Sequence, residues 1–157
     1  MELKSRLFLF GLGSGLLPYA PGTWGSLVGL LLGVIILSYF PTETLFLLTI
    51  LVTLFGIREI NRYEEKSGIH DDKRIVIDEI VGIWLALCFS GTSPLAVLLS
   101  FIFFRIYDIK KPSIIGKIDK DVSGGIGVMG DDLVAGVAAG LSSALIVYYI
   151  NYMQNLS

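Results

Sequence analysis

The sequence contains few of the residues that most catalytic and binding sites use. It has one cysteine and one histidine among 157 residues, and only 17% of its residues are charged. Cys88 has no partner for an internal disulfide and cannot form a cysteine metal cluster. Because His70 is the single histidine, any mechanism that needs two histidines is excluded. A net charge of −2 also argues against nucleic acid as a partner, since such proteins need a basic face.

Apolar sequence, by contrast, is abundant. Hydrophobic residues make up 54% of the chain, and the mean hydropathy of +0.74 is too high for a soluble domain of this length. We therefore expect residues 1–157 to form a single membrane domain. Lys4 and Arg6 precede an apolar stretch, as in a signal peptide. However, Pro18 and Pro21 and the absence of a clear cleavage motif favour retention of this segment.

The long uncharged runs predict an all-α fold with about five membrane-embedded helices, preceded by a short N-terminal helix or loop. One run, 80–104, is long enough to be a single span, but the segment SGTSP interrupts it at 90–94 and favours two shorter helices. The predicted helices are 24–40, 43–62, 75–89, 94–109 and a fifth that starts at Asp131.

The basic residues also favour two helices within 80–104. With two helices, all twelve Lys and Arg residues fall on one side of the membrane, which the positive-inside rule makes cytoplasmic. The N-terminus is then inside, and the polar segments 58–74 and 109–131 are both cytoplasmic. Helices of about 15 residues cover only about 22 Å, less than the roughly 30 Å hydrocarbon core. We therefore expect these two helices to be shallow, re-entrant or surrounded by a thinned bilayer.

Five carboxylates gather at the cytoplasmic ends of the last three predicted helices. In a low-dielectric setting they would repel one another unless a cation neutralised them. Oxygen ligands without matching His or Cys favour a hard ion such as Mg²⁺. Alternatively, Arg105 pairs with Asp108 and the other acids cap helices. The five residues are Asp78, Glu79, Asp108, Asp131 and Asp132.

Other acidic residues of the same side lie in a polar segment and are predicted to be solvated. Unlike the five carboxylates, they are not embedded between apolar runs. His70 is expected to be an exposed residue of the same loop. Glu59 lies one helical turn from Arg62, so it could form an ion pair with Arg62 or belong to the site. The solvated acids are Glu64, Glu65, Asp71 and Asp72.

Two glycine-rich segments and one basic segment predict a phosphate-binding side. The segment PGTWGS starts the first predicted helix, where free backbone N–H groups and the helix dipole attract anions. The segment VSGGIGVMGDD is predicted to be a loop whose glycines let the backbone approach a ligand or simply make a turn. Cationic side chains next to Asp108 add donors. The candidate phosphate-binding residues are Gly22, Thr23, Gly25, Arg105, Lys111, Gly124 and Gly125.

Four motifs together resemble the phosphatidylglycerophosphatase A family over about residues 10–140. They are PYAPGTWGSLVG, VIDEIVGIWLAL, FRIYDIKKP and GGIGVMGDDLVAG, in this order. The resemblance implies a Mg²⁺-dependent phosphatase that converts phosphatidylglycerophosphate, its phospholipid substrate, to phosphatidylglycerol. It further implies a multi-pass protein of the bacterial inner membrane with its active site on the cytoplasmic side, and an all-helical fold with a central helix ringed by others.

The same resemblance implies roles for individual residues. Arg105 and Lys111 fall in the family's FR-x-x-D-x-x-KP motif, and we expect them to bind the phosphate. After Lys111 the sequence reads KPSIIG, without the aromatic residue and second proline that family members usually have there. The implied catalytic residues are Asp78, Glu79, Asp108, Asp131 and Asp132, of which all except Asp108 are implied Mg²⁺ ligands.

Two classes of function remain open on the residues alone. A phosphatase would use a cation to assist hydrolysis, with a carboxylate as general base or as a nucleophile that forms an aspartyl-phosphate. A small cation or proton transporter would also carry intramembrane carboxylates. Because the acids cluster at one face rather than at the midplane, and glycine-rich segments accompany them, the phosphatase is favoured.

Overall fold

The computed structural model describes residues 3–70 and 72–156, and all regular elements of this part are helical, as predicted. The predicted short N-terminal helix or loop is one α-helix followed by a 3-10 helix. The elements are α1 Leu3–Leu9, a 3-10 helix Gly11–Leu16, α2 Pro21–Tyr39, α3 Thr42–Ser67, α4 Ile77–Ser90, α5 Pro94–Lys110, α6 Ile114–Asp121 and α7 Gly124–Leu156.

The predicted break within 80–104 is confirmed, because α4 and α5 are separate helices. Gly91 ends α4 with a φ of 86°, a conformation that L side chains rarely adopt. The Ser93 hydroxyl accepts a hydrogen bond from the backbone N–H of Ala96 at 3.2 Å and so caps α5. Pro94 occupies the start of α5, where its missing N–H is not needed. Local sequence therefore determines this hairpin.

Helix α4 is the centre of the fold. Ten of its 14 residues are buried, and the four that are not lie near its two ends. Helices α2, α3, α5 and α7 all pack against it, and the Trp84 indole N–H donates to the carbonyl of Gly29 on α2 at 2.8 Å. The central helix ringed by others that the family resemblance implies is therefore present.

Glycines at four-residue spacing let α7 approach α4 at backbone distance. A Cβ atom at Gly136 would lie 2.2 Å from the carbonyl oxygen of Gly82, and one at Gly140 would lie 2.6 Å from that of Ala86. The contacts advance along both chains in the same order, so the two helices run parallel. Such small-residue faces are common between tightly packed helices in membranes. Helix α2 packs on α4 in the same way, through Gly25, Gly29 and Gly33.

The loop predicted for VSGGIGVMGDD, residues 122–132, is wrong. Helix α6 occupies Ile114–Asp121, and α7 already begins at Gly124. The backbone N–H of Gly125 donates to the Asn61 side-chain oxygen at 2.7 Å, so α3 caps the start of α7. Because Asp131 and Asp132 lie about two turns inside this helix, the N-cap role considered for them as the alternative is wrong.

Two helices are long and apolar enough to cross a bilayer, α2 and α7. Helices α4 and α5, with 14 and 17 residues, are shorter than the roughly 20 residues that a span needs. The prediction of five embedded helices is therefore not confirmed beyond these two. Large exposed apolar side chains, such as Leu31, Leu51, Leu98 and Leu145, nevertheless cover the outer faces of the ring. Such a surface indicates association with a membrane.

Candidate active site

The close packing of α4 and α7 brings two acidic motifs face to face. Asp78 stands four residues before Gly82 on α4, and Asp132 stands four residues before Gly136 on α7. Residues four apart share one face of a helix. Since the two glycines touch and the helices are parallel, the two aspartates meet one turn earlier, at the same level.

Three carboxylates form the closest acidic group in the described part of the chain. Asp78, Glu79 and Asp132 each place one oxygen so that all three lie within 4.8 Å of one another. Asp78 Oδ1 and Glu79 Oε2 are buried and have no hydrogen-bond partner among the described residues. An unpaired buried carboxylate oxygen is costly. The group therefore requires a cation or additional protons.

Asp131 lies beside this group but has a different partner. Lys111 donates to Asp131 Oδ2 at 2.7 Å and also to Asp119 on α6. Although burial acts to lower the pKa of Lys111, its hydrogen bonds to the two carboxylates raise that pKa above its ordinary value. Asp131 Oδ1 remains buried and without a partner. The structure thus places three of the four predicted metal ligands together and pairs the fourth with a lysine.

Arg105 is held in the cleft by two neighbours. Its Nη1 donates to Asp108 Oδ2 at 2.5 Å and to the Ser26 hydroxyl at 3.2 Å. The Arg105–Asp108 pair anticipated as an alternative is therefore present. Arg105 Nε is buried and has no partner among the described residues, so the guanidinium retains a donor. Gly22 approaches closely, since a Cβ there would lie 2.2 Å from Glu79 Oε1.

These groups line one cavity of about 800 Å³. Its walls come from the starts of α2 and α4, the end of α5, α6 and the first turns of α7. Thr23, Gly25 and Gly125 are not part of the lining; Gly25 packs against Val76, and Gly125 packs against the backbone of Ile57. The predicted residues that do line it are Gly22, Asp78, Glu79, Arg105, Asp108, Lys111, Gly124, Asp131 and Asp132.

Two acids predicted to be solvated are buried instead. Glu64 lies in the last turns of α3, and Asp72 lies in the segment before α4; both line the cavity. Glu65 is exposed as predicted, and Asp71 lies outside the described residues. His70 is exposed, but its Nδ1 lies 3.3 Å from Glu64 Oε2. The polar composition of the segment gave no sign that it folds back over the cleft.

Asp72 belongs to a fully bonded cluster. It accepts a hydrogen bond from the Tyr63 hydroxyl at 2.5 Å and others from the Arg74 guanidinium, the shortest at 2.6 Å. The backbone N–H of Arg74 donates to it as well. The hydrogen bonds from Arg74 hold the pKa of Asp72 well below its ordinary value. Glu59 is also buried; its Oε1 pairs with Arg62 at 3.1 Å, while its Oε2 has no hydrogen-bond partner among the described residues.

Several lining residues were not anticipated by any motif. Lys73, Asp119 and Lys120 reach the cavity because the segment before α4 and helix α6 lie over it. The one readable signal was the D-x₃-G spacing shared by the two acidic motifs, DEIVG at 78–82 and DLVAG at 132–136. That spacing predicts matching helix faces.

The fold and the site define a class of protein. A helical bundle with an apolar outer surface carries, at one end, a cavity with buried carboxylates, an arginine and a lysine. Unpaired carboxylate oxygens next to cationic donors are typical of enzymes that act on anionic groups such as phosphate.

Comparison with known proteins specifies the family. The chain belongs to the phosphatidylglycerophosphatase A family, whose pattern matches residues 7–147, and it is accordingly a phosphatase. Phosphatidylglycerophosphatase A of Haemophilus influenzae is 38% identical over 148 residues, which cover 94% of this chain and 88% of that protein. The Escherichia coli protein of the same name is 37% identical over 148 residues, 94% of this chain and 83% of its own.

A third relative has a different name. It is a Bacteroides thetaiotaomicron protein provisionally named a phosphatidylinositol-3-phosphatase, 37% identical over 134 residues, which cover 81% of this chain and 83% of that protein. No solved structure matches the chain. The family resemblance seen in the four motifs is thus confirmed, while the names of its relatives cover more than one lipid phosphate.

Proposed function

We propose that this chain is a Mg²⁺-dependent phosphatase that hydrolyses phosphatidylglycerophosphate to phosphatidylglycerol and phosphate. The observation that carries the proposal is the group formed by Asp78, Glu79 and Asp132, with unpaired buried oxygens, directly beside Arg105. The two relatives whose alignments cover 94% of this chain are named for this lipid. Their names support the choice of substrate.

The donor set fits Mg²⁺. The ion prefers oxygen ligands, takes few of them from the protein and leaves positions for phosphate oxygens and water. Three carboxylates within 4.8 Å of one another, two of them with unpaired oxygens, are such a set. Asp131 supplies a further oxygen at the same level. When bound, the ion would supply charge neutralisation of the phosphoryl group and acidification of a water molecule.

The residues of the chain would bind the phosphate and transfer the protons. Arg105, oriented by Asp108 and Ser26, binds the terminal phosphate through its remaining donors. A carboxylate of the group takes one proton from the attacking water as the new P–O bond forms. The bond from phosphorus to the glycerol oxygen breaks, and the leaving oxygen takes up the proton that the carboxylate accepted from water, so that the lipid leaves as an alcohol. A nucleophilic aspartate is the alternative. Acid quenching of a reaction with substrate labelled in its terminal phosphate would trap the resulting phosphoenzyme.

We place the cleft on the cytoplasmic side of the bacterial inner membrane. The cleft lies at the starts of α2, α4 and α7 and at the end of α5, and the Lys and Arg residues of the chain concentrate in the segments around it. Cytoplasmic segments carry that excess. In this arrangement α2 and α7 span the bilayer, and the shorter α4 is shielded from lipid by its neighbours.

Phosphate release from phosphatidylglycerophosphate in detergent micelles tests the proposal. We expect activity with Mg²⁺, loss of activity in EDTA and recovery when Mg²⁺ is restored. Asp78→Asn should remove the activity, whereas Glu65→Gln, which removes an exposed acid outside the cleft, should not. Mn²⁺ binding measured by electron paramagnetic resonance gives a second readout and should weaken in Asp78→Asn only.

Three outcomes would contradict the proposal. Activity that persists in EDTA and in Asp78→Asn would exclude the metal site. If phosphate were released faster from phosphatidylinositol 3-phosphate than from phosphatidylglycerophosphate, the substrate would instead be the lipid that the Bacteroides relative's name suggests. Cation flux into vesicles without phosphatase activity would favour the transporter.

A further inference from the structure

Half of the cationic side chains that line the cleft are not used by the site described above. The lining contains four lysines and arginines. Arg105 is bound to Asp108, and Lys111 is bound to two acids. Lys73 and Lys120 have neither a hydrogen bond nor an ion pair with any residue in the ranges 3–70 and 72–156. These two lysines are therefore available to a ligand.

The two lysines lie at the mouth of the cavity rather than on its floor. Both are exposed, whereas Asp131 and Asp132 are only 4% and 3% exposed. They come from different elements, Lys73 from the segment before α4 and Lys120 from α6. The cleft thus has a floor of carboxylates with Arg105, and a mouth with two lysines that lack a partner among the described residues.

Fixed neighbours position both lysines. Asp72 binds the backbone N–H and the guanidinium of Arg74, so the chain is held on both sides of Lys73. Lys120 follows Asp119, which is bound to Lys111. A flexible lysine side chain on a fixed backbone suits a solvated anion, because its ammonium can reach several positions with little strain.

The lipid that the proposed function names carries two phosphates, one glycerol unit apart. The terminal monoester is the group that reacts, and the second phosphate is a diester that links the headgroup to the lipid. When the monoester lies on the floor, the diester lies toward the mouth. A cavity of about 800 Å³ is within the usual range for sites that enclose a small ligand, so it accommodates the whole headgroup.

We propose that Lys73 and Lys120 bind the phosphodiester of the substrate and thereby favour lipids with two phosphates over lipids with one. This inference rests on the proposed function, since it assumes that phosphatidylglycerophosphate is the substrate. Each solvated contact contributes modestly. Loss of both should raise KM about tenfold, an order-of-magnitude figure for two charge-assisted contacts at a partly exposed site.

The test uses the double variant Lys73→Ala/Lys120→Ala and a matched control. Lys66→Ala/Lys117→Ala removes the same charge from exposed positions that do not line the cavity. KM for phosphatidylglycerophosphate is measured in mixed micelles, together with the inhibition constants of phosphatidylglycerol and of inorganic phosphate. These two products represent the two halves of the substrate.

We expect the double variant to show a higher KM and weaker inhibition by phosphatidylglycerol, with inhibition by phosphate nearly unchanged and kcat affected less than KM. The inference is overturned if KM does not change, if the control raises KM equally, or if inhibition by phosphate weakens as much as inhibition by phosphatidylglycerol. If the wild type releases no phosphate from phosphatidylglycerophosphate, the proposed function itself has failed. An active wild type with an unaffected double variant refutes this inference alone.

Discussion

Two clusters of buried acids lie close together in the chain and differ in their hydrogen bonding. Asp72 has partners for both of its oxygens, from Tyr63 and Arg74. Asp78 and Glu79, a few residues later, have buried oxygens without partners among the described residues. Both clusters line the same cavity. Burial of a carboxylate therefore does not by itself mark a catalytic group; Asp78 and Glu79 differ from Asp72 because they combine unpaired oxygens with a place in the cavity wall.

The largest effect should follow from Asp132→Asn. It removes one carboxylate of the unpaired group, and we expect kcat/KM to fall about a thousandfold, the equivalent of about 4 kcal/mol of transition-state stabilisation. Because the substitution also relieves repulsion between buried carboxylates, thermal stability in EDTA should be equal to or higher than that of the wild type.

The two readouts for Asp132→Asn separate a functional from a structural role. Phosphate release at saturating Mg²⁺ gives the first, and thermal unfolding in detergent gives the second. A variant that loses stability and activity in parallel would show that Asp132 supports the fold, as we expect of Asp72. The bonded and the unpaired acids would then not differ in function.

A smaller effect is expected from Gly136→Ala, which acts on the contact that assembles the unpaired group. The added Cβ would meet the carbonyl oxygen of Gly82 at 2.2 Å, so the helices must separate. Overpacking of this kind costs about 2–3 kcal/mol. We expect a lower melting temperature and reduced activity, because Asp132 moves away from Asp78.

Gly130→Ala is the matched control on the same helix. Its added Cβ would meet only the side chain of Ile118, at 3.3 Å, so the melting temperature should change much less. Equal losses in the two variants would mean that the α4–α7 contact does not determine the geometry of the site.

The smallest effect should come from Asp72→Asn in the fully bonded cluster. Loss of charge-assisted hydrogen bonds should lower the free energy of unfolding by about 1.5 kcal/mol at pH 7. Since folding lowers the pKa of Asp72, its contribution is present above the ordinary carboxyl value near pH 4 and is lost as the pH falls through the folded-state value.

The stability difference between the wild type and Asp72→Asn should therefore shrink under acid conditions, which thermal unfolding at several pH values would show. A difference that stays constant from pH 7 to below pH 4 would contradict the assigned ion pair. A thousandfold loss of activity with an intact fold would instead show that Asp72 takes part in catalysis.

Sequence patterns predicted the helices well where local signals were strong. Ser93 and Pro94 determine the start of α5, and the unbroken apolar runs predict the cores of α2 and α7. The prediction failed at 122–132, because the four glycines of that segment favoured a loop. Glycine is a poor helix former in isolation, but Asn61 caps this segment and close packing on Ile57 favours its helical form. Both contacts come from α3, which is remote in sequence.

The sequence by itself determined that this protein is helical, apolar on its surface and acidic at a few embedded positions, because periodicity, composition and capping are local properties. The four motifs also identified the family. Tertiary structure alone decided which acids meet. The parallel contact of Gly82 with Gly136 places Asp78 beside Asp132, whereas Asp131, one residue away, turns to Lys111. The reason is geometric: adjacent residues on a helix face about 100° apart, so only helix packing selects the one that joins the site.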